Sequence, residues 1–157
     1  EAFRRKQDTL HFIKKAEKDT LAVYKYPEGT LVDLNEADTT ELKKIPGIGS
    51  GIARMIVAYR KRLGGFYDMA QLKEVNYVDE DMLRWFKLGN APIHRINANK
   101  AGLDKLRSHP YMNFYQAKVI IEYRRKKGKL KSLSQLSLYE EFTEKDLERL
   151  SHYLAFD

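Results

Sequence analysis

The chain has 157 residues, with 29 Lys+Arg against 22 Asp+Glu and a formal net charge of +7. That length holds one domain or two very small ones, and 43% hydrophobic with 32% charged residues is a globular balance, neither disordered nor fibrous. The lack of cysteine excludes disulfides, thiolate zinc sites and cysteine nucleophiles, no apolar run is long enough for a membrane span, and the basic surplus favours a polyanionic partner.

Residues 1–30 form a charged N-terminal segment, expected to be helical over about 2–23 and ended by Tyr26-Pro27-Glu28-Gly29. The chain opens on Glu1 and not on Met, which leads us to expect more sequence upstream. From residue 31 onward the chain contains itself twice. An offset of 64 residues aligns Asn35 with Asn99, Leu42 with Leu106, Pro46 with Pro110 and Ala53 with Ala117. The same offset aligns Tyr59-Arg60 with Tyr123-Arg124, Gly64 with Gly128, and Gln71-Leu72 with Gln135-Leu136. We read unit one as 31–94 and unit two as 95–157, joined through Leu88-Gly89-Asn90-Ala91-Pro92.

Each unit reads as four short helices, which makes the fold class all-α. In unit one, Asp38 with Glu41 opens a helix that must stop at Ile45, because Pro46 cannot follow inside it. The next helix carries Ile52, Ile56, Tyr59 and Leu63 on one face and ends at Gly64-Gly65. Asp68 with Gln71 caps a third helix, and Asp79 caps a fourth that holds Leu83 and Phe86. Unit two repeats the trailing caps as Ser132 with Gln135 and Thr143 with Asp146. No stretch alternates with period two long enough to predict a strand.

Between the first two helices lies Ile45-Pro46-Gly47-Ile48-Gly49-Ser50-Gly51. Gly47 and Gly49 permit positive φ and remove the Cβ atoms that would block a close approach. The turn then shows successive N–H groups just before a helix N-terminus, an arrangement suited to a phosphate oxygen. Ile48 is expected to plug the core, and Ala53 to let the two helices approach.

With Asn35, Ala37, Leu42, Pro46-Gly47-Ile48-Gly49, Ala53, Ile56, Tyr59-Arg60, Gly64, Phe66, Leu72 and Val75 in place, unit one resembles the ComEA-like helix-hairpin-helix family of competence and DNA-uptake proteins. The resemblance covers both units, about four-fifths of the chain, and is looser in unit two. It implies compact SAM-like helical bundles with two hairpins per unit, and sequence-independent DNA binding. Gly47, Ile48, Gly49, Ser50, Gly51 and Arg54 would then face the phosphates. It also implies a site outside the cytoplasm or on a membrane anchored through an upstream segment; without that role the chain would be cytoplasmic. No membrane contact is expected from these residues themselves.

Unit two departs from the pattern. Its hairpin is Pro110-Tyr111-Met112-Asn113-Phe114-Tyr115, in which Tyr111 replaces the first glycine and Asn113 the second. Asn113 is expected to keep positive φ. Tyr111, Phe114 and Tyr115 could stack on nucleic acid, contact a protein partner, or pack against the neighbouring unit, and packing is the expectation. The later hairpins, near Val75-Asn76-Tyr77-Val78 and Tyr139-Glu140-Glu141-Phe142, lack glycine and read as structural.

Charge is placed alike in both units. Residues 42–67 hold Lys43, Lys44, Arg54, Arg60, Lys61 and Arg62 with no acid, or +6, whereas residues 68–94 sum to −2. Residues 106–131 hold Arg107, Lys118, Arg124, Arg125, Lys126, Lys127, Lys129 and Lys131 against Glu122, or +7, whereas residues 132–157 sum to −4. A phosphate backbone would therefore meet the leading half of each unit. We expect duplex DNA to contact Lys43, Lys44, Arg54, Arg60, Lys118, Arg124, Arg125, Lys126 and Lys127 besides the glycine turn. The alternative is a protein-interaction scaffold built from degenerate units. His11, His94, His109 and His152 show no metal spacing, and no carboxylate pair or nucleophile points to catalysis, so neither enzyme, metal nor cofactor is expected.

Overall fold

The fold is taken from a computed structural model, which describes residues 24–157. The helix expected over 2–23 lies outside those residues. Unit one runs β1 (Val32–Asp33), α1 (Thr39–Leu42), α2 (Ser50–Leu63), the 3-10 helices η1 (Met69–Glu74) and η2 (Glu80–Trp85), and β2 (Phe86–Lys87). Unit two runs β3 (Ile96–Asn97), α3 (Leu103–Arg107), α4 (Phe114–Lys127), the 3-10 helix η3 (Leu133–Leu136), α5 (Glu144–Leu150) and β4 (Leu154–Ala155).

Local chemistry sets these bounds. Asp38 Oδ1 accepts from Glu41 N–H at 2.8 Å and starts α1. The Lys44 and Ile45 amides reach back only three residues, so the helix tightens and stops before Pro46. In α2, Ala53, Ile56 and Leu63 are fully buried, with Ile52 and Tyr59 packed at the margin. Gly64 ends α2 at φ +94°, and a Cβ there would lie 2.3 Å from the His94 carbonyl oxygen. Only glycine lets the inter-unit joint pass so close.

Two expectations need correction. The chain is mostly helical rather than all-α, because Val32 pairs with Phe86 and Ile96 with Leu154 in two-residue parallel ladders. Each ladder clips the start of a unit to its end. Two residues are too few for alternation to show in the sequence. The expected trailing caps form at Asp68, Asp79, Ser132 and Thr143, yet three of the four segments they open are 3-10 helices.

Repeated side chains lock each unit. Asn35 and Asn99 latch onto the backbone of Phe66 and Leu130, accepting from N–H at 2.7 and 2.8 Å and donating to C=O at 2.9 and 2.8 Å. Arg60 donates to the carbonyls of Leu34 and Ala37, and Arg124 donates to those of Ala98 and Ala101, at 2.6 to 3.0 Å. These loop carbonyls precede the first helix of each unit, so each arginine holds the leading helix against the second.

A buried polar network docks unit two on unit one. The Gln71 amide donates to Tyr111 Oη at 2.9 Å and Tyr153 Oη at 2.7 Å, while its oxygen accepts from the Tyr67 and Asp68 amides. Tyr153 donates onward to the Gly65 carbonyl at 2.6 Å, and Tyr111 to the Glu74 carboxylate. Burial pushes both phenols up from their ordinary range, and the Glu74 hydrogen bond raises Tyr111 further. His109 is 3% exposed. Its Nδ1 accepts the Tyr111 N–H, so Nε2 carries the proton and donates to the Leu63 carbonyl at 2.8 Å. Every member is satisfied, which makes the docking geometry specific.

Candidate nucleic-acid interface

The first hairpin is a tight turn closed by Ile48 N–H on the Ile45 carbonyl at 3.1 Å. Gly47 occupies its third position at φ +89°, as a turn of this kind with Pro46 before it requires. Ile48 is 1% exposed and anchors the turn in the core, an apolar burial worth about 1.5–3 kcal/mol. Gly49 is different from expectation: it is extended at φ −94° and serves as the N-cap of α2 with no side chain to offer. Its value is openness. A Cβ on Gly49 or Gly51 would meet nothing within 4 Å.

The result is a bare helix terminus. The amides of Gly47, Gly49, Ser50, Gly51 and Ile52 have no acceptor among the described residues. The unsatisfied donors of a helix start carry partial positive charge and are normally met by a cap, by water or by a ligand. No acid lies in the first turn. Lys43 and Arg54 are exposed on either side in sequence.

The segment before unit one fastens the other side of this turn. Tyr26 N–H donates to the Lys44 carbonyl at 2.7 Å. Lys25 Nζ reaches three hairpin carbonyls: Lys43, Ile48 at 3.2 Å and Ile45 at 3.5 Å. Lys44 lies over the Tyr24 and Tyr26 rings at 5.7 Å. One ammonium thus neutralises the carbonyl face while the amide face stays open. Nothing in the sequence singles out Lys25, since it lies outside the repeat.

The second hairpin closes with the same bond, Met112 N–H to the His109 carbonyl at 3.0 Å, but is sealed. Tyr111 is not at positive φ; its amide is taken by His109, and its ring is 6% exposed at the unit interface. Asn113 is corrected as well. It is extended at φ −98° and caps α4 reciprocally with Gln116. Only the Phe114 and Tyr115 amides stay without an acceptor among the described residues. Phe114 and Tyr115 remain 40% and 68% exposed. Of the three rings offered to a protein partner, Tyr111 is therefore withdrawn. In the trailing hairpin of unit one, Tyr77 sits at φ +69° and is 78% exposed, reproducing the Gly47 conformation without glycine.

The cations fall into two groups. Lys43, Lys44 and Arg54 accompany the first hairpin, and Lys118 accompanies the second. Lys61 and Arg62 end α2, and Arg125, Lys126 and Lys127 end α4, all exposed. At 1.5 Å per residue these helix ends lie roughly 15–20 Å from the hairpins. Arg60 and Arg124 carry inward duties, as described above. No group of His, Asp or Glu among the described residues could hold a metal ion, and no described helix is long and apolar enough to cross a membrane.

Comparison with known proteins fits this geometry. Residues 28–85 and 92–155 match the helix-hairpin-helix motif family. The match is to the motif family as a whole and does not single out a DNA-uptake branch. Among curated proteins, the chain is similar to endonuclease/exonuclease/phosphatase family domain-containing protein 1. The mouse and rat proteins are 27% identical over 154 residues, covering 77% of this chain and 27% of theirs. The Xenopus laevis protein is 25% identical over 146 residues, covering 77% and 26%. The chain thus spans about a quarter of the length of these relatives. No solved structure gives a significant match. With both units matched across most of its length, the chain belongs to the helix-hairpin-helix family.

Proposed function

We propose that this chain binds duplex DNA without sequence preference, gripping one phosphate strand at the first hairpin. The observation that carries this reading is the uncapped start of α2, where the amides of Gly49, Ser50, Gly51 and Ile52 are open and exposed Lys43 and Arg54 flank them in sequence. A phosphate oxygen can accept two or more of these N–H groups, and the helix dipole adds to the attraction. Backbone donors contact phosphates and read no base, so sequence independence follows. Affinity comes largely from counterion release, with Kd on the order of 10⁻⁴–10⁻⁶ M at physiological salt. The cations at the ends of α2 and α4 add long-range attraction or a second backbone contact.

The reading assigns binding, and no catalysis, to these residues. It suits a DNA-uptake receptor of the ComEA-like kind. It equally suits a chain that couples DNA binding to a catalytic domain, since the relatives are named for an endonuclease/exonuclease/phosphatase family domain. A scaffold reading has lost Tyr111, its central ring. Duplex binding measured across a salt series tests the proposal. We expect log affinity to fall linearly with log salt, and Lys126→Ala with Lys127→Ala to reduce the slope by up to about 1.8. Absence of binding at low salt, or binding indifferent to salt, would refute it.

A further inference from the structure

We propose that the second hairpin is a stacking platform for an unpaired nucleobase, so that the protein prefers duplex DNA bearing a single-stranded extension. This rests on the duplex reading above and extends it to the class of substrate. Phe114 and Tyr115 stand, by the 64-residue offset, where unit one has Ser50 and Gly51. They therefore occupy the first turn of α4, the place that unit one leaves bare. The two rings meet edge to face with centroids 5.5 Å apart and interplanar angle 81°, so each holds the other upright. Tyr115 stays 68% exposed and Phe114 40%.

The surroundings select the occupant. Arg107 lies over the Phe114 ring at 6.0 Å, and exposed Lys118 sits one helical turn beyond both rings. Asp104 pairs with Arg107 at 3.4 Å, so the acid nearest to the rings in the leading helix is already engaged. The Phe114 and Tyr115 amides stay open among the described residues. Exposed aromatic rings with Arg107 and Lys118 nearby and two free N–H groups match a nucleotide, with base on ring and phosphate on amide. Bases inside a duplex cannot reach the rings without unstacking, which disfavours intact duplex and favours strands already open. The Gln71, Tyr111 and Tyr153 network holds this platform in a fixed place relative to unit one.

The test compares the full chain on blunt duplex and on the same duplex with a short 3′ or 5′ extension carrying 2-aminopurine next to the junction. We expect roughly tenfold tighter binding to the extended duplex, with the probe's fluorescence quenched by stacking. Phe114→Ser with Tyr115→Gly installs the residues of unit one and should erase the preference while blunt-duplex affinity is retained, which also certifies folding. The single change Tyr115→Trp should keep the preference. Equal affinity for both DNAs, or a preference that survives the double change, overturns the proposal and leaves the rings to a protein contact. Failure to bind either DNA overturns the reading of the first hairpin too, so the two failures are distinct.

Discussion

The two leading hairpins share a turn hydrogen bond, a helix of identical length behind them and the same arginine brace, yet they are opposite as ligand surfaces. In unit one the cap residue is Gly49, which brings no side chain, and the amides are left for an outside acceptor. In unit two Asn113, Gln116 and His109 supply the acceptors from within. The sealed hairpin is better satisfied internally; the open one depends on water or a ligand. The comparison shows how a repeat can keep its architecture while one copy leaves its turn amides open and the other turns most of them inward, keeping only the Phe114 and Tyr115 amides and rings outside.

The sharpest way to break this comparison is Gly51→Glu. A carboxylate in the first turn favours the helix dipole, and glutamate is a better helix former than glycine. Thermal stability should hold or rise, because a side chain at Gly51 meets nothing within 4 Å. The same charge sits where phosphate would bind, so duplex affinity should fall about a hundredfold. Tyr115→Glu, the equivalent change in unit two, should cost blunt-duplex affinity far less. Parallel melting curves and binding isotherms check both.

The second effect concerns the sealed hairpin. Burial pushes His109 down to about 4, and the neighbouring Arg62 and Arg149 push in the same direction against the hydrogen bond to Leu63. The unfolded chain takes up the proton first, near pH 6.5. The contribution is therefore complete above pH 6.5 and is lost as the pH falls toward 4, amounting to about 2 kcal/mol by pH 5. Protonation would also remove the acceptor for the Tyr111 amide. Denaturant unfolding at pH 7 and pH 5 should show this loss, and His109→Gln should abolish the His-dependent part of it.

A smaller effect sharpens the role of the N-terminal strap. Lys25→Met leaves the carbonyls of Lys43, Ile45 and Ile48 without their ammonium. Charge-assisted hydrogen bonds of this partly exposed kind contribute about 1 kcal/mol. Duplex affinity should fall several-fold while the second hairpin and the interface network are untouched. Unchanged affinity would mean that the strap does not shape the amide face.

What could be read in the sequence follows from locality. Asp38, Asp68, Asp79, Ser132 and Thr143 announce helix starts because a cap acts on residues two or three away. Gly47 and Pro46 announce a turn for the same reason. The bracing role of Arg60 and Arg124 is not legible because their charge looks like surface, whereas the carbonyls they hold lie more than twenty residues earlier in the chain. Asn113 carries an ambiguous signal because asparagine suits both positive φ and a helix cap, and only the neighbouring Gln116 decides for the extended cap. His109 and Lys25 gave no local signal at all; their partners, Leu63 and the hairpin carbonyls, are brought close only by tertiary packing.

The central claim is that open amides at the first hairpin hold a phosphate. Titrating ¹⁵N-labelled protein with a duplex of mixed sequence measures those amides one by one. The account predicts that Gly49, Ser50, Gly51 and Ile52 move most and lose their exchange with water. If these resonances stay in place while the duplex binds elsewhere, the phosphate grip at this hairpin does not exist.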